Sequence, residues 1–190
     1  MPNSVKTAIK KIVQGKLGYI PQPDGRTCQS TAIGMVLGDK DIYGIRAKLE
    51  SLGTPGSPDV MAAYLRPRVK DYQFEDAATL MDVRKYLDQG KQLITHGWFT
   101  RSGHVVKISG YEVDPTTLSY KLIVDDPWME FNFKTGQYIP GSNGNDRPYS
   151  SYGMYAYCVA SSSYWNATDI YKRGELDSKR PGMWLHVITL

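Results

Sequence analysis

The sequence predicts an α+β fold, with N-terminal helices packed on a later antiparallel sheet. Three observations lead there. Up to Gly90, apolar residues recur at helical spacing between start and stop signals. After Gly90, three runs rich in β-branched and aromatic residues are separated by short turn sequences. At 190 residues, 41% hydrophobic and 22% charged, the chain can bury one core without help from disulfides or metals. A single domain over 1–190 is expected.

Each element follows in order. Val5, Ala8, Ile9, Ile12 and Val13 interleave with Lys6, Lys10, Lys11 and Lys16. That pattern predicts a basic amphipathic helix over 1–17, packed on the domain with its lysines in water, membrane binding being the alternative. It lacks the unbroken apolar run and small-residue cleavage site of a signal peptide, so synthesis in the cytoplasm is expected. No stretch approaches the length of a membrane span. Thr27 is expected to cap a buried helix from Cys28 to Leu37. A second helix is expected over Ile42 to Leu52, closed by Gly53, and a short third one opens at Ser57 or Asp59 and runs to Leu65. Val69 to Phe74 reads as a strand, and Leu80 to Leu87 as a helix stopped by Gly90.

Gln92 to Phe99, His104 to Val113 and Leu118 to Val124 should form an antiparallel meander, joined by turns at Arg101-Ser102-Gly103 and Asp114-Pro115-Thr116-Thr117. Residues 134–152 carry Gly136, Pro140, Gly141, Gly144 and Pro148 and read as a long surface loop. Met154 to Ala160 is expected as a strand and Trp165 to Tyr171 as a short helix. The tail from Met183 to Leu190 is expected to close the sheet edge.

Composition bounds the chemistry. Two cysteines make no disulfide framework and have no paired spacing for structural zinc, although a Cys28–Cys158 bridge is a minor alternative. No metal or cofactor is expected. The net charge of +4 suits an anionic partner such as a cell wall but does not identify one, and no nucleic-acid partner is expected. Fourteen tyrosines and four tryptophans fit an aromatic core better than a dedicated cleft.

A thiol becomes a useful nucleophile on deprotonation, and a helix N-terminus favours the thiolate. Cys28 lies at such a position. Cys158, inside the apolar run MYAYCVA, reads as structural. A cysteine nucleophile needs a histidine base. His104, at a strand start after Gly103, is the candidate; His96 is expected to line the same cleft, and His186 reads as a sheet residue. Asp126, ending the strand after the one that carries His104, is placed to orient the imidazole. Replacing the neighbouring Asp125 by asparagine is expected to be mild.

The segment QPDGRTCQSTAIGMVL, with Gly103-His104-Val105-Val106, Gly110-Tyr111 and Asp126-Pro127, resembles the bacteriocin-processing (double-glycine leader) peptidases and their papain-like relatives. The resemblance covers roughly residues 18–130, the expected catalytic core. Residues 131–190 form an extension without a recognised motif. The resemblance implies a papain-like fold and a cysteine peptidase. Cys28 would be the nucleophile, His104 the base and then acid, Asp126 the orienting residue and Gln22 the oxyanion donor. Gln29 departs from the glycine that often follows the family's cysteine. The expected substrate is a peptide or protein. Peptidoglycan is the alternative, as for a phage-type lysin (endolysin) delivered to the cell wall. A binding module on a peptidase-like scaffold, and a zinc site of His96, His104 and Asp126, are the remaining alternatives. The oligomeric state is left open.

Overall fold

The computed structural model describes residues 9–13, 15–117 and 119–190. Its core is an open antiparallel sheet with helices on both faces. The chain runs β1 (Ile9–Ile12), α1 (Cys28–Leu37), α2 (Ile42–Leu52), α3 (Pro58–Leu65), β2 (Asp71–Ala78), α4 (Leu80–Asp88) and β3 (Gln92–Gly97). It continues through β4 (His104–Val113), β5 (Tyr120–Asp125), β6 (Phe131–Asn132), β7 (Gln137–Tyr138), β8 (Arg147–Ser150), α5 (Ser151–Cys158), α6 (Tyr164–Arg173) and β9 (Met183–Thr189). The main sheet has the order β2-β9-β3-β4-β5-β8, and β6 and β7 form a separate hairpin.

Period-two alternation assigns the two faces. Leu93, Val106 and Val187 enter one apolar cluster with α4, α5 and α6. Their chain neighbours Ile94, Val105 and Ile188 enter the other, against α1, α2 and α3. Most of these side chains are fully buried, each contributing about 1.5–3 kcal/mol of transfer free energy. The helices 28–37 and 42–52 have the expected bounds, and the Asp41 side chain caps α2 by accepting from the Gly44 N–H at 2.9 Å.

Five expectations need correction. Residues 9–12 are a strand, β1, and the rest of the expected N-terminal helix through residue 8 lies outside the described residues. The reason is an open backbone edge. β3 pairs with β4 only from His104 to Ile108, and β1 takes up the remaining stretch from Gly110 to Val113. Gly110 permits this approach, because a Cβ there would stand 2.1 Å from the Lys11 carbonyl oxygen. Second, Met154 to Cys158 is helical, within α5. Ser150 caps it by accepting from the Gly153 N–H at 3.1 Å. Seven of its eight residues are buried, so the run carries no polar stripe by which periodicity distinguishes helix from strand.

Third, the expected surface loop holds β7 of the small hairpin and β8, which pairs with β5 from Lys121 to Val124. Fourth, the tail strand β9 lies inside the sheet between β2 and β3, and β2 is the edge. Fifth, the strand expected over 69–74 is displaced to 71–78, because the three residues Arg66–Arg68 extend α3 as a 3₁₀ turn. Residue 118, expected to begin a strand, lies outside the described residues.

Candidate active site

The thiol of Cys28 stands at the first residue of α1, half-buried. Thr27 precedes it but does not cap the helix. Its hydroxyl donates to the Asp24 carbonyl at 3.1 Å, and the first turn of α1 has no acidic residue. The positive end of the helix is thus left uncompensated beside the sulfur. Burial pushes the thiol pKa up. A hydrogen bond and the charge of His104, with the backbone N–H groups of Val105 and Gln29, outweigh burial and bring it below its ordinary value.

His104 opens β4 and is buried. Its Nε2 lies 2.8 Å from Asp126 Oδ1, so Nδ1 is the ring nitrogen left for Cys28. Burial opposes the imidazolium. The Asp126 carboxylate, by charge and hydrogen bond, and the Cys28 sulfur overcome that opposition and raise the pKa to about 10. The shifts of Cys28 and His104 are opposite in sign, so each group favours passing the thiol proton to the imidazole.

Asp126 directly follows β5 and is fully buried. A carboxylate in that position needs donors on both oxygens. Oδ1 accepts from His104 and from the Trp128 N–H at 3.0 Å, while Oδ2 accepts from the hydroxyls of Tyr149 at 3.0 Å and Tyr138 at 3.2 Å. The Asp126 N–H donates to the Gly144 carbonyl at 2.9 Å, which brings the 139–146 loop against it. Gly144 is required there, since a Cβ would stand 1.8 Å from the Asp126 carbonyl oxygen. Burial and the Asp126 charge push both tyrosine pKa values far up, so the phenols remain donors.

Sequence reasoning missed Tyr138 and Tyr149. They come from a segment read as loop, and only the β5–β8 pairing and the small hairpin carry them to Asp126. Tyr149→Phe should lower turnover by on the order of 10-fold, the scale of a hydrogen bond to a charged group. Tyr149→Phe should also shift the acid limb of the rate profile, which simple destabilisation would not. A profile of unchanged shape would assign Tyr149 to packing alone.

Asp125, next in chain, points elsewhere. It forms a buried ion pair with Lys107 at 2.7 Å and accepts from the Asp146 N–H at 3.1 Å. Gln22 is half-buried, and its backbone N–H donates to the Pro127 carbonyl at 2.7 Å. Its side-chain Nε2 donates to the Asp24 carbonyl at 2.6 Å, and its buried Oε1 has no partner among the described residues. The carboxamide in contact with Cys28 is that of Gln29, whose Oε1 accepts from the thiol at 3.2 Å.

A cleft of about 490 Å³ runs past Cys28 and His104, walled by Gln29, His96, Trp98 and Trp184. Cys158 also reaches it but is buried in α5, and burial with the Asp126 charge pushes its thiol pKa far up. Both cysteines are free. Among the described residues no group of three or more His, Cys, Asp or Glu is placed to hold a metal. The zinc set is not assembled: His104 bonds Asp126, whereas His96 bonds His186. No helix among the described residues is long and apolar enough to cross a membrane. No protein-family model matches this chain, and no curated protein matches it.

Proposed function

We propose that this chain is a cysteine hydrolase of the papain-like type that cleaves amide bonds in peptides or proteins. The observation that carries the reading is His104, held between the Cys28 sulfur and a fully buried carboxylate with four donors. In this reading the Cys28 thiolate attacks the carbonyl carbon and forms a C–S bond. The His104 imidazolium then gives its proton to the departing amine, leaving a thioester and a neutral imidazole. Water attacks the thioester with His104 as base, the C–S bond breaks, and the acid product leaves the thiolate–imidazolium pair restored.

Asp126 holds the His104 ring and stabilises its charged form throughout. The developing oxyanion is assigned to the Cys28 backbone N–H and the Gln22 carboxamide. Gln22 has to leave the Asp24 carbonyl for that task, and Gln29, whose Oε1 meets the sulfur, would have to turn its Nε2 there to compete. The same chemistry serves on peptidoglycan stem peptides. The exposed face of Trp184 at the cleft favours retaining that second substrate, since an indole face suits a sugar ring.

The test uses a mixed peptide library and purified peptidoglycan, with new termini identified by mass spectrometry. New peptide termini are expected with the parent protein and none with Cys28→Ala; cleavage only in muropeptides selects the wall substrate. Limited iodoacetamide followed by peptide mapping should label Cys28 well before Cys158. Preferential labelling of Cys158, or silence from both substrates, would remove the hydrolase reading in favour of a binding module.

A further inference from the structure

The cleft holds a second polar device that the hydrolytic steps do not use. Tyr72 on β2, His186 on β9 and His96 on β3 form a row across three neighbouring strands. Tyr72 Oη lies 2.7 Å from His186 Nδ1, and His186 Nε2 lies 2.8 Å from His96 Nε2. His186 is fully buried. His96 is where the row reaches the cleft, beside Trp184, whose ring meets the imidazole edge-on at 5.6 Å and 72°. In the β3–β4 register His96 is paired with Val105, whose backbone N–H serves the Cys28 sulfur. One strand spacing, about 5 Å, therefore separates the end of the row from the strand whose backbone N–H meets the reacting thiol.

Proton order follows from counting donors and acceptors. Two imidazole nitrogens can share a hydrogen bond when one carries a proton and the other is bare. Tyr72 finds no acceptor for its hydroxyl other than His186 Nδ1 among the described residues. If Tyr72 donates, His186 Nδ1 is bare and its Nε2–H donates to His96 Nε2. The proton of His96 is then on Nδ1. This order gives both hydrogens within the row an acceptor; the reverse order leaves the phenolic hydrogen without one.

Burial also disfavours charge on both rings, with His96 lowered to about 4 and His186 held well below the ordinary imidazole value. The ring neighbours of His186 on the sheet are Tyr72, Phe74 and His96, all uncharged. No Asp, Glu, Lys or Arg lines the cleft among the described residues. Apart from the Cys28–His104 pair, which is committed to the reacting bond, the cleft thus offers a neutral N–H of fixed tautomer and no countercharge. Such a donor suits a peptide carbonyl, and a charged substrate side chain would lose its hydration with nothing to replace it.

We propose that His96 is a substrate-binding residue whose Nδ1–H donates to a carbonyl oxygen of an uncharged peptide segment in the cleft. His186 and Tyr72 are the positioning residues that fix its tautomer. The proposal rests on the hydrolase reading, and two probes separate the two. Iodoacetamide reports the Cys28 thiolate alone, whereas an epoxysuccinyl-leucyl amide must also occupy the cleft to react.

Parent protein should be alkylated at Cys28 by both. His96→Leu should slow the epoxide by on the order of 3- to 10-fold, the effect of one hydrogen bond, while the iodoacetamide rate stays within about 2-fold. Tyr72→Phe should slow the epoxide in the same direction, and it keeps the test open should His96→Leu fail to fold. His96→Gln, which restores an N–H donor, should recover part of the loss. A glutamyl or lysyl probe should react more slowly with the parent than the leucyl one. Equal slowing of both probes, no slowing of either, or a charged probe reacting as fast as the leucyl one would overturn the proposal while leaving the hydrolase reading standing. Inert Cys28 in the parent would overturn both.

Discussion

His104→Ala should abolish hydrolysis, with turnover falling on the order of 10⁴-fold or more, and should raise the pKa at which Cys28 is alkylated. The sign follows from the contributions at the sulfur. Burial disfavours the thiolate, and the His104 hydrogen bond and charge are the largest forces opposing it. Removing them leaves burial against two backbone N–H groups, so the thiol moves up and alkylation at neutral pH slows. In the parent, activity should rise as pH passes the lowered Cys28 pKa and fall as His104 deprotonates near pH 10. In the variant the alkylation profile should begin at higher pH, and the upper boundary set by His104 should be gone. His96→Ala provides the contrast: its ring bonds His186, so alkylation by iodoacetamide should hardly change. If His104→Ala left the alkylation profile in place, the His104–Cys28 interaction would not govern the thiolate.

Asp125→Asn should destabilise the fold by about 3–5 kcal/mol, the cost of leaving one member of a buried ion pair uncompensated. The mild effect expected from sequence concerns turnover and alkylation; the buried ion pair adds a cost in stability. Lys107 and Asp125 are 1% and 4% exposed in their side chains, so water cannot replace the lost partner. Urea unfolding should show a large drop in midpoint with little change in slope. The double change Lys107→Met with Asp125→Leu should recover most of the loss, because it removes both charges. Folded Asp125→Asn should still turn over substrate, since the His104–Asp126 hydrogen bond is separate. A shift below about 1 kcal/mol would mean that water or another group reaches Lys107.

Adjacent aspartates thus have different physical roles, and the backbone separates them. Asp125 is the last residue of β5 and pairs in register with Lys107, whose side chain it meets within the sheet. Asp126 lies beyond the ladder, where the chain turns toward His104 and the Tyr138 and Tyr149 hydroxyls. Proline at 127 marks the aspartate that matches the pattern of the peptidases the sequence resembles. The ion pair has no such local mark, because its other member is eighteen residues away.

What could be read from sequence was local in origin. The helices 28–37 and 42–52 follow from apolar spacing and, for the second, from Gly53 at its end. The β3–β4–β5 meander follows from short turns between β-rich runs, and neighbouring antiparallel strands suffice to bring His104 near Asp126. Placement of β1, β8 and β9 was decided by tertiary structure. Side-chain alternation describes a strand's two faces but does not say which open backbone edge it will join. The row from Tyr72 through His186 to His96 depends on that choice, since β9 has to insert between β2 and β3 before the three rings can meet. Sequence alone could determine the candidate chemistry at Cys28 and His104, because helix start and strand start are local features. The packing of distant segments decided what holds Asp126 and what faces the cleft, because those partners meet only when the sheet is complete.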